Sequence, residues 1–233
     1  DLAAYLHALM PTPSFFPPVL PEPSPGSWIT VNTGPVPLRC WWAHTSSTKP
    51  ASRAVIVLPE IFGLNGWVRG VADRLSAAGV PALAMPLFAR TAPELELGYD
   101  SESTREGRRH KEATTTEMIL ADVQATIDWL RLALASSAQP LRITVVGFCF
   151  GGLFAYLGGT RLGADAVAAY HGTRIHSYLD EADRLTVPTS LHYGDDDPNV
   201  PMEQVGPIIE ALSGKANVDV VVHAGGKHNF SMP

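Results

Sequence analysis

At 233 residues the chain has the length of one medium-sized domain, enough to bury a large core. Hydrophobic residues make up 45% and charged residues 17%, values that exclude a disordered chain. A formal charge of −6, with no sustained basic and aromatic-interleaved stripe, excludes a general nucleic-acid binder.

Residues 1–10 predict a short amphipathic helix. Pro11 to Pro25 then holds seven prolines in fifteen residues, which forbids a regular helix or a central strand. Residues 1–26 therefore read as a helix followed by an ordered proline-rich arm, with Phe15 and Phe16 as anchors. A single α/β domain is expected over 27–233. Trp28–Val31 and Leu38–Ala43 predict two strands joined around Thr33–Gly34–Pro35. Ala54–Leu58 is a continuous apolar run, the pattern of a strand covered on both faces.

Trp67–Ala78 predicts a helix closed by Gly79, and Val80–Met85 a buried strand. Residues 89–112 lack a clean period and carry Arg90, Arg105, Arg108, Arg109 and Lys111, so they read as a polar connection. Thr114–Ala135 predicts the longest helix, with Ile119, Val123, Ile127, Leu130 and Leu134 on one face. Strand Arg142–Val146 follows, then a glycine-rich turn and a helix to about Gly158. Strands at Ala166–Tyr170 and Val187–Tyr193, a helix at Met202–Leu212 and a strand at Val218–Val222 complete the series. This alternation implies a mostly parallel sheet with helices on both faces. Ligands bind at the carboxyl ends of such strands, where Glu60, Cys149, His171, Asp195–Asp197 and His228 fall.

The strongest chemical signal is Gly147-x-Cys149-x-Gly151-Gly152, which follows an apolar strand and opens a helix. A nucleophile elbow has this form: a strained residue on a sharp strand-to-helix turn, with small neighbours so that the two backbones can approach. The helix N-terminus favours a thiolate. The plain alternative is a buried cysteine in a packing turn, which the strand–turn–helix context and the order of partners argue against. Those partners follow as acid and then histidine. Gly194-Asp-Asp-Asp-Pro-Asn-Val-Pro201 offers three carboxylates, and spacing leaves the choice among Asp195, Asp196 and Asp197 open. Gly225-Gly-Lys-His228 supplies the base, and His171, at a strand end, is placed to line the pocket. A cation at the three aspartates is disfavoured, because the loop lacks the alternating ligands and central glycine of a calcium site.

These residues resemble the dienelactone hydrolase family, also called carboxymethylenebutenolidases. The resemblance runs from about Ala54 to Phe230. It rests on Leu58-Pro-Glu-Ile-Phe-Gly-Leu-Asn65, Pro86-Leu-Phe-Ala-Arg90, the Gly147-x-Cys149 element, Asp197-x-x-Val-Pro201 and Gly226-x-His228-x-Phe230. It implies an α/β-hydrolase fold over 27–233 with a Cys149–His228–Asp197 triad, the Asp-x-x-Val-Pro motif selecting Asp197. It further implies that Glu60 contacts the resting thiol and that the backbone N–H groups of Ile61 and Phe150 form the oxyanion hole. Arg90 matches an arginine that binds a substrate carboxylate. Met232 departs from the family pattern, standing where the dienelactone enzymes carry a second such arginine. Their terminal helix would lie beyond Pro233.

The expected reaction is hydrolysis of an ester or lactone, with an enol lactone favoured, through a thioester acyl-enzyme and with no metal or organic cofactor. The expected partner is a small molecule, carboxylate-bearing in the dienelactone case; neither nucleic acid nor membrane is expected, and the oligomeric state is not legible. The alternatives are a broader carboxylesterase or thioesterase, a non-catalytic hydrolase-like binding protein, and an interaction protein acting through the arm. Only Cys40 and Cys149 occur, so no disulfide framework is implied and a reducing, cytoplasmic setting is the simpler expectation. The chain begins at Asp1 rather than Met, so the lack of a signal peptide says nothing about export.

Overall fold

The computed structural model describes residues 26–44, 50–136 and 140–232. The expectations for residues 1–25, including the arm and its Phe15 and Phe16 anchors, lie outside them. The described residues divide into two compact units, one up to Thr144 and the other from Val145 onward.

In the first unit, β1 (Ser27–Val31) and β2 (Leu38–Ala43) form the expected antiparallel hairpin, with Trp28 opposite Trp41 and Val31 opposite Leu38. β3 (Arg53–Leu58) and β4 (Ala82–Ala84) are parallel, β4 is antiparallel to β2, and the order is β1-β2-β4-β3. Residues 54–58 are all buried, as the uninterrupted apolar run requires. The strand expected over 80–85 is shorter at both ends. The Val80 N–H is spent on Leu75 O, 3.0 Å away at the end of the preceding helix, and Pro81 has no N–H to give.

Among the described residues this unit has three helices: α1 (Gly66–Ala77), α2 (Ser101–Glu112) and α3 (Thr116–Ala133). The side chains of Asn65 and Thr115 cap α1 and α3 by accepting N–H groups of Val68 and Met118, satisfying donors that a helix start leaves open. Helix α2 corrects the reading of 89–112 as a connection. Only Gly107 and His110 of its residues are buried, so there was no apolar stripe to find. The Asp100 side chain, accepting N–H bonds of 2.9 Å from both Glu102 and Ser103, starts it. Glu106 pairs with Arg109 and His110 along it.

Strand β5 (Arg142–Phe148) begins in the first unit and ends in the second. There it leads a second set of strands in the order β5-β6-β7-β8, with β6 (Ala166–Tyr170), β7 (Thr189–Gly194) and β8 (Val218–His223). β6 and β7 are parallel with Ala169 opposite Leu191, and β7 and β8 are parallel with Leu191 opposite Val220. Helix α4 (Phe150–Arg161) is buried from Phe150 to Gly158, and α5 (Met202–Leu212) follows β7. A kinked 3₁₀ segment at Ile175–Arg184 was not expected from the sequence. Parallel ladders therefore predominate, with one antiparallel edge. No helix among the described residues is long and apolar enough to cross a membrane.

Candidate active site

Cys149 occupies the turn between β5 and α4 with φ 50° and ψ −114°. Positive φ is strained for a residue with a Cβ, at a cost of about 1–3 kcal/mol. The surroundings hold it there. Cys149 N–H donates to Tyr170 O at 3.0 Å, and its carbonyl accepts from Gly152 N and Thr173 N, each at 3.0 Å. The glycines are there because the backbones almost touch: a Cβ on Gly147 would sit 2.1 Å from Gly151 O, and one on Gly152 would sit 2.6 Å from Gly172 Cα. Phe150 is the first residue of α4. Its N–H thus lies in the turn that carries the positive end of the helix dipole.

The three aspartates after β7 have separate tasks. A Cβ on Gly194 would come within 2.0 Å of Gly226 O, so this glycine lets the acidic loop meet the loop that bears His228. Asp195 Oδ1 accepts the Gly225 N–H at 2.6 Å, and Asp196 donates its own N–H to Gly226 O at 3.0 Å. Asp197 is buried; Oδ1 accepts from Asn199 N at 2.8 Å and Val200 N at 3.2 Å, and Oδ2 meets His228 Nδ1 at 2.7 Å. Burial pushes this carboxyl up, but the hydrogen bond and charge of His228 and the two amides outweigh it and hold it below the usual range. An ionised Asp197 fixes the proton on His228 Nδ1 and leaves Nε2 as the basic nitrogen.

His171 is fully buried at φ 41°. Its Nε2 meets Ser231 Oγ at 3.2 Å, and its ring lies 4.6 Å from that of His228, centroid to centroid. Burial first, and then the neighbouring His228, pushes His171 well below the usual histidine range against the pull of Asp197, so its ring is neutral. One ligating atom from each of Cys149, His171 and His228 lies within 4.8 Å of the others.

The sequence reading missed several neighbours. Ser231 follows the terminal motif, but a lone serine carries no signal. Behind the site, His192 Nδ1 lies 3.1 Å from His223 Nε2 and Ser190 Oγ lies 2.8 Å from the other nitrogen of His192, with Tyr170 stacked on the His192 ring. Ser190 and His192, two apart on a buried strand, were a visible sign of a polar stripe on one face.

The sequence profile of the dienelactone hydrolase family matches residues 43–233. This chain belongs to the dienelactone hydrolase family. It is accordingly a hydrolase with the α/β-hydrolase fold. It is 31% identical over 185 residues to a putative carboxymethylenebutenolidase of Synechocystis sp., covering 76% of this chain and 74% of that one. It is 27% identical over 188 residues to the carboxymethylenebutenolidase of Pseudomonas putida, covering 80% and 78%. Among solved structures, a putative dienelactone hydrolase from Klebsiella pneumoniae superposes with a TM-score of 0.74 at 23% identity, over 88% of this chain and 87% of that one. An esterase from Thermogutta terrifontis superposes with a TM-score of 0.60 at 20% identity, over 90% and 87%. At these identities the two structures speak for the fold.

The other residues named by the family resemblance lie in the first unit. Glu60 is 2% exposed, and neither carboxylate oxygen has a hydrogen-bond partner among the described residues. Burial raises its pKa to about 8, which leaves a protonated acid at neutral pH. Ile61 begins a turn braced from both sides. Leu64 N donates to Leu95 O at 3.0 Å and Leu97 N to Phe62 O at 2.9 Å, while Gly107 of α2 packs so tightly that a Cβ there would lie 2.5 Å from Ile61 O. The Arg90 guanidinium grips Asp122 with both terminal nitrogens, Nη2 to Oδ1 at 3.0 Å and Nη1 to Oδ2, and Nη1 also donates to Met118 O at 3.3 Å. Asp122, on α3, is fully buried. The planar fork thus already holds one carboxylate within its own unit.

Proposed function

We propose that this enzyme hydrolyses an ester or lactone, an enol lactone above all, by acyl transfer through Cys149, His228 and Asp197. The observation that carries the reading is the 2.7 Å bond from Asp197 to His228 Nδ1, made beside a cysteine on a strained elbow. His228 Nε2 takes the thiol proton as sulfur attacks the carbonyl carbon. The Phe150 N–H, with that of Ile61 as the family resemblance implies, stabilises the oxyanion. The intermediate collapses, the C–O bond breaks, and His228 returns the proton to the departing alkoxide or enolate. Water, deprotonated by His228, then cleaves the thioester. Because thiolate itself leaves easily, the intermediate moves forward only when the other leaving group is good, which favours enol and aryl esters over amides.

Glu60 is taken, as the family resemblance implies, to contact the resting neutral thiol; its burial makes it a neutral acid at rest as well. His171, neutral and next to His228, is proposed to line the substrate pocket. The chemistry requires a reduced thiol, and neither cysteine is in a disulfide, which supports a cytoplasmic setting. A broader carboxylesterase is the second reading. It is favoured by Met232, which replaces a carboxylate-binding arginine in the resemblance, and by the engagement of Arg90 with Asp122.

A panel of cis- and trans-dienelactone against neutral p-nitrophenyl esters, with Cys149→Ala as the blank, tests both readings. Turnover of the lactones at least tenfold above the neutral esters, absent in the blank, is the expected result. Preference for neutral esters would select the second reading, and full activity in Cys149→Ala would overturn the nucleophile.

A further inference from the structure

Hydrolysis asks of His171 only that it line a pocket, yet its ring is arranged more specifically than that. It is fully buried, Nε2 is tied to Ser231 Oγ at 3.2 Å, and Nδ1 is buried with no hydrogen-bond partner among the described residues. A buried ring nitrogen without a partner is costly and marks a place where something else can bind. His228 is tied in the complementary way: Nδ1 meets Asp197 at 2.7 Å, which leaves Nε2. The Cys149 sulfur joins them, and one ligating atom from each of the three lies within 4.8 Å of the other two.

One thiolate and two imidazoles are a soft and borderline donor set. Zinc takes thiolate at about 2.3 Å and imidazole at about 2.0–2.1 Å in a tetrahedron, so its ligand atoms stand about 3.3–3.7 Å apart. A contraction of roughly an ångström, within reach of side-chain rotation, brings the three donors onto one ion. Metal-binding histidines almost always hold a carboxylate, a carbonyl or water on their second nitrogen. Here Asp197 serves His228 in this way, and the Ser231 hydroxyl serves His171. His228 is partly exposed, its side chain at 13%, so an ion has a way in. We propose that Cys149, His171 and His228 form a binding site for Zn²⁺ or a cation of similar softness, whose occupation reversibly switches the hydrolase off. On binding, the S–H bond gives way to an S–Zn bond and the proton passes to solvent; no electron is transferred. The inhibition rests on the proposed roles of Cys149 and His228, whereas the binding does not.

Co²⁺ titration of the reduced enzyme tests the binding without any substrate. The expected result is a sulfur-to-cobalt charge-transfer band and a tetrahedral visible spectrum, both saturating at one equivalent and erased by one equivalent of Zn²⁺. Cys40 is fully buried on β2 and cannot supply the band. Cys149→Ser should abolish it, His171→Asn should weaken Zn²⁺ binding at least tenfold, and Ser231→Ala should weaken it about tenfold, as loss of a ligand's supporting hydrogen bond does. Ester hydrolysis should fall at least tenfold at saturating Zn²⁺ and return with a chelator. If His171→Asn does not fold by circular dichroism, Cys149→Ser and Ser231→Ala still decide the matter. No charge-transfer band in the wild type, or equal Zn²⁺ binding by Cys149→Ser, would overturn the site. A band with no loss of hydrolysis would overturn the switch. A wild type as inactive as Cys149→Ala on every ester would remove the hydrolytic reading and leave the band to judge the metal site alone.

Discussion

Asp195 and Asp197 stand two residues apart in one loop and carry different loads. Asp197 is buried against the imidazole, whereas Asp195 is exposed and only ties down the Gly225 amide. Asp197→Asn would keep the shape but offer His228 Nδ1 the wrong partner, and a loss of about 10²–10⁴ in kcat is expected. Asp195→Asn keeps an acceptor oxygen for Gly225 and should leave kcat within about twofold and stability within about 0.5 kcal/mol. Steady-state kinetics of the two variants decides this, and the reverse pattern would sink the triad. Spacing left all three aspartates open because the choice is made by the close approach of Gly194 and Gly226, a tertiary contact that no local pattern records. The pairing of Arg90 was not legible for a similar reason: its partner Asp122 is 32 residues away, on a helix read only for its apolar face. Arg90→Ala strands a buried carboxylate, and urea denaturation should show a loss of about 3–5 kcal/mol. A change confined to KM for carboxylate-bearing substrates, with stability intact, would show that the pairing with Asp122 carries no structural weight.

At the scale of elements, the strands and the amphipathic helices were legible because period and burial coincide: the 54–58 run is buried throughout, and α3 buries Ile119, Val123, Ile127 and Leu130 from one stripe. Helix α2 was not legible because its reasons for existing are a cap at Asp100, charge pairs along its side and one glycine. Yet that glycine connects it to a residue that the family resemblance names. Gly107 lets α2 settle against the carbonyl of Ile61, the residue whose N–H the family resemblance places in the oxyanion hole. Gly107→Ala puts a methyl 2.5 Å from that carbonyl, and since the obstacle is backbone, the turn must move. The expected outcome is a kcat reduced about tenfold, with a stability loss of about 1–3 kcal/mol from overpacking. Arg105→Ala, exposed on the same helix, should stay within about 0.5 kcal/mol of wild type and keep its kcat. If Gly107→Ala loses stability but turns over normally, the turn does not position a catalytic donor.

For the molecule as a whole, two buried groups set opposite slopes of stability against pH. Glu60 titrates near its ordinary 4.5 when unfolded and at about 8 when folded. The folded chain therefore holds a proton that the unfolded chain has released, and the stability this gives is complete below about 4.5 and drains away as pH rises to about 8. His171 behaves in the contrary sense. Folded, it stays neutral well below its ordinary 6.5, so its contribution is complete above that value and is lost as pH falls beneath it. Below 6.5 the two slopes oppose each other, and above 6.5 only that of Glu60 remains. The contribution of these two groups should thus fall from about pH 6.5 toward pH 8. Glu60→Gln isolates the cause, because any fixed penalty of a buried amide is the same at every pH. The difference in unfolding free energy, variant minus wild type, should rise by about 1.4 kcal/mol per pH unit from about pH 4.5 and level off near pH 8, with a ceiling of about 5 kcal/mol. Urea unfolding at pH 5, 6.5 and 8.5 measures it. A difference that is flat across the three would mean that Glu60 is ionised in the folded enzyme, and the neutral-acid control of the thiol would fall with it.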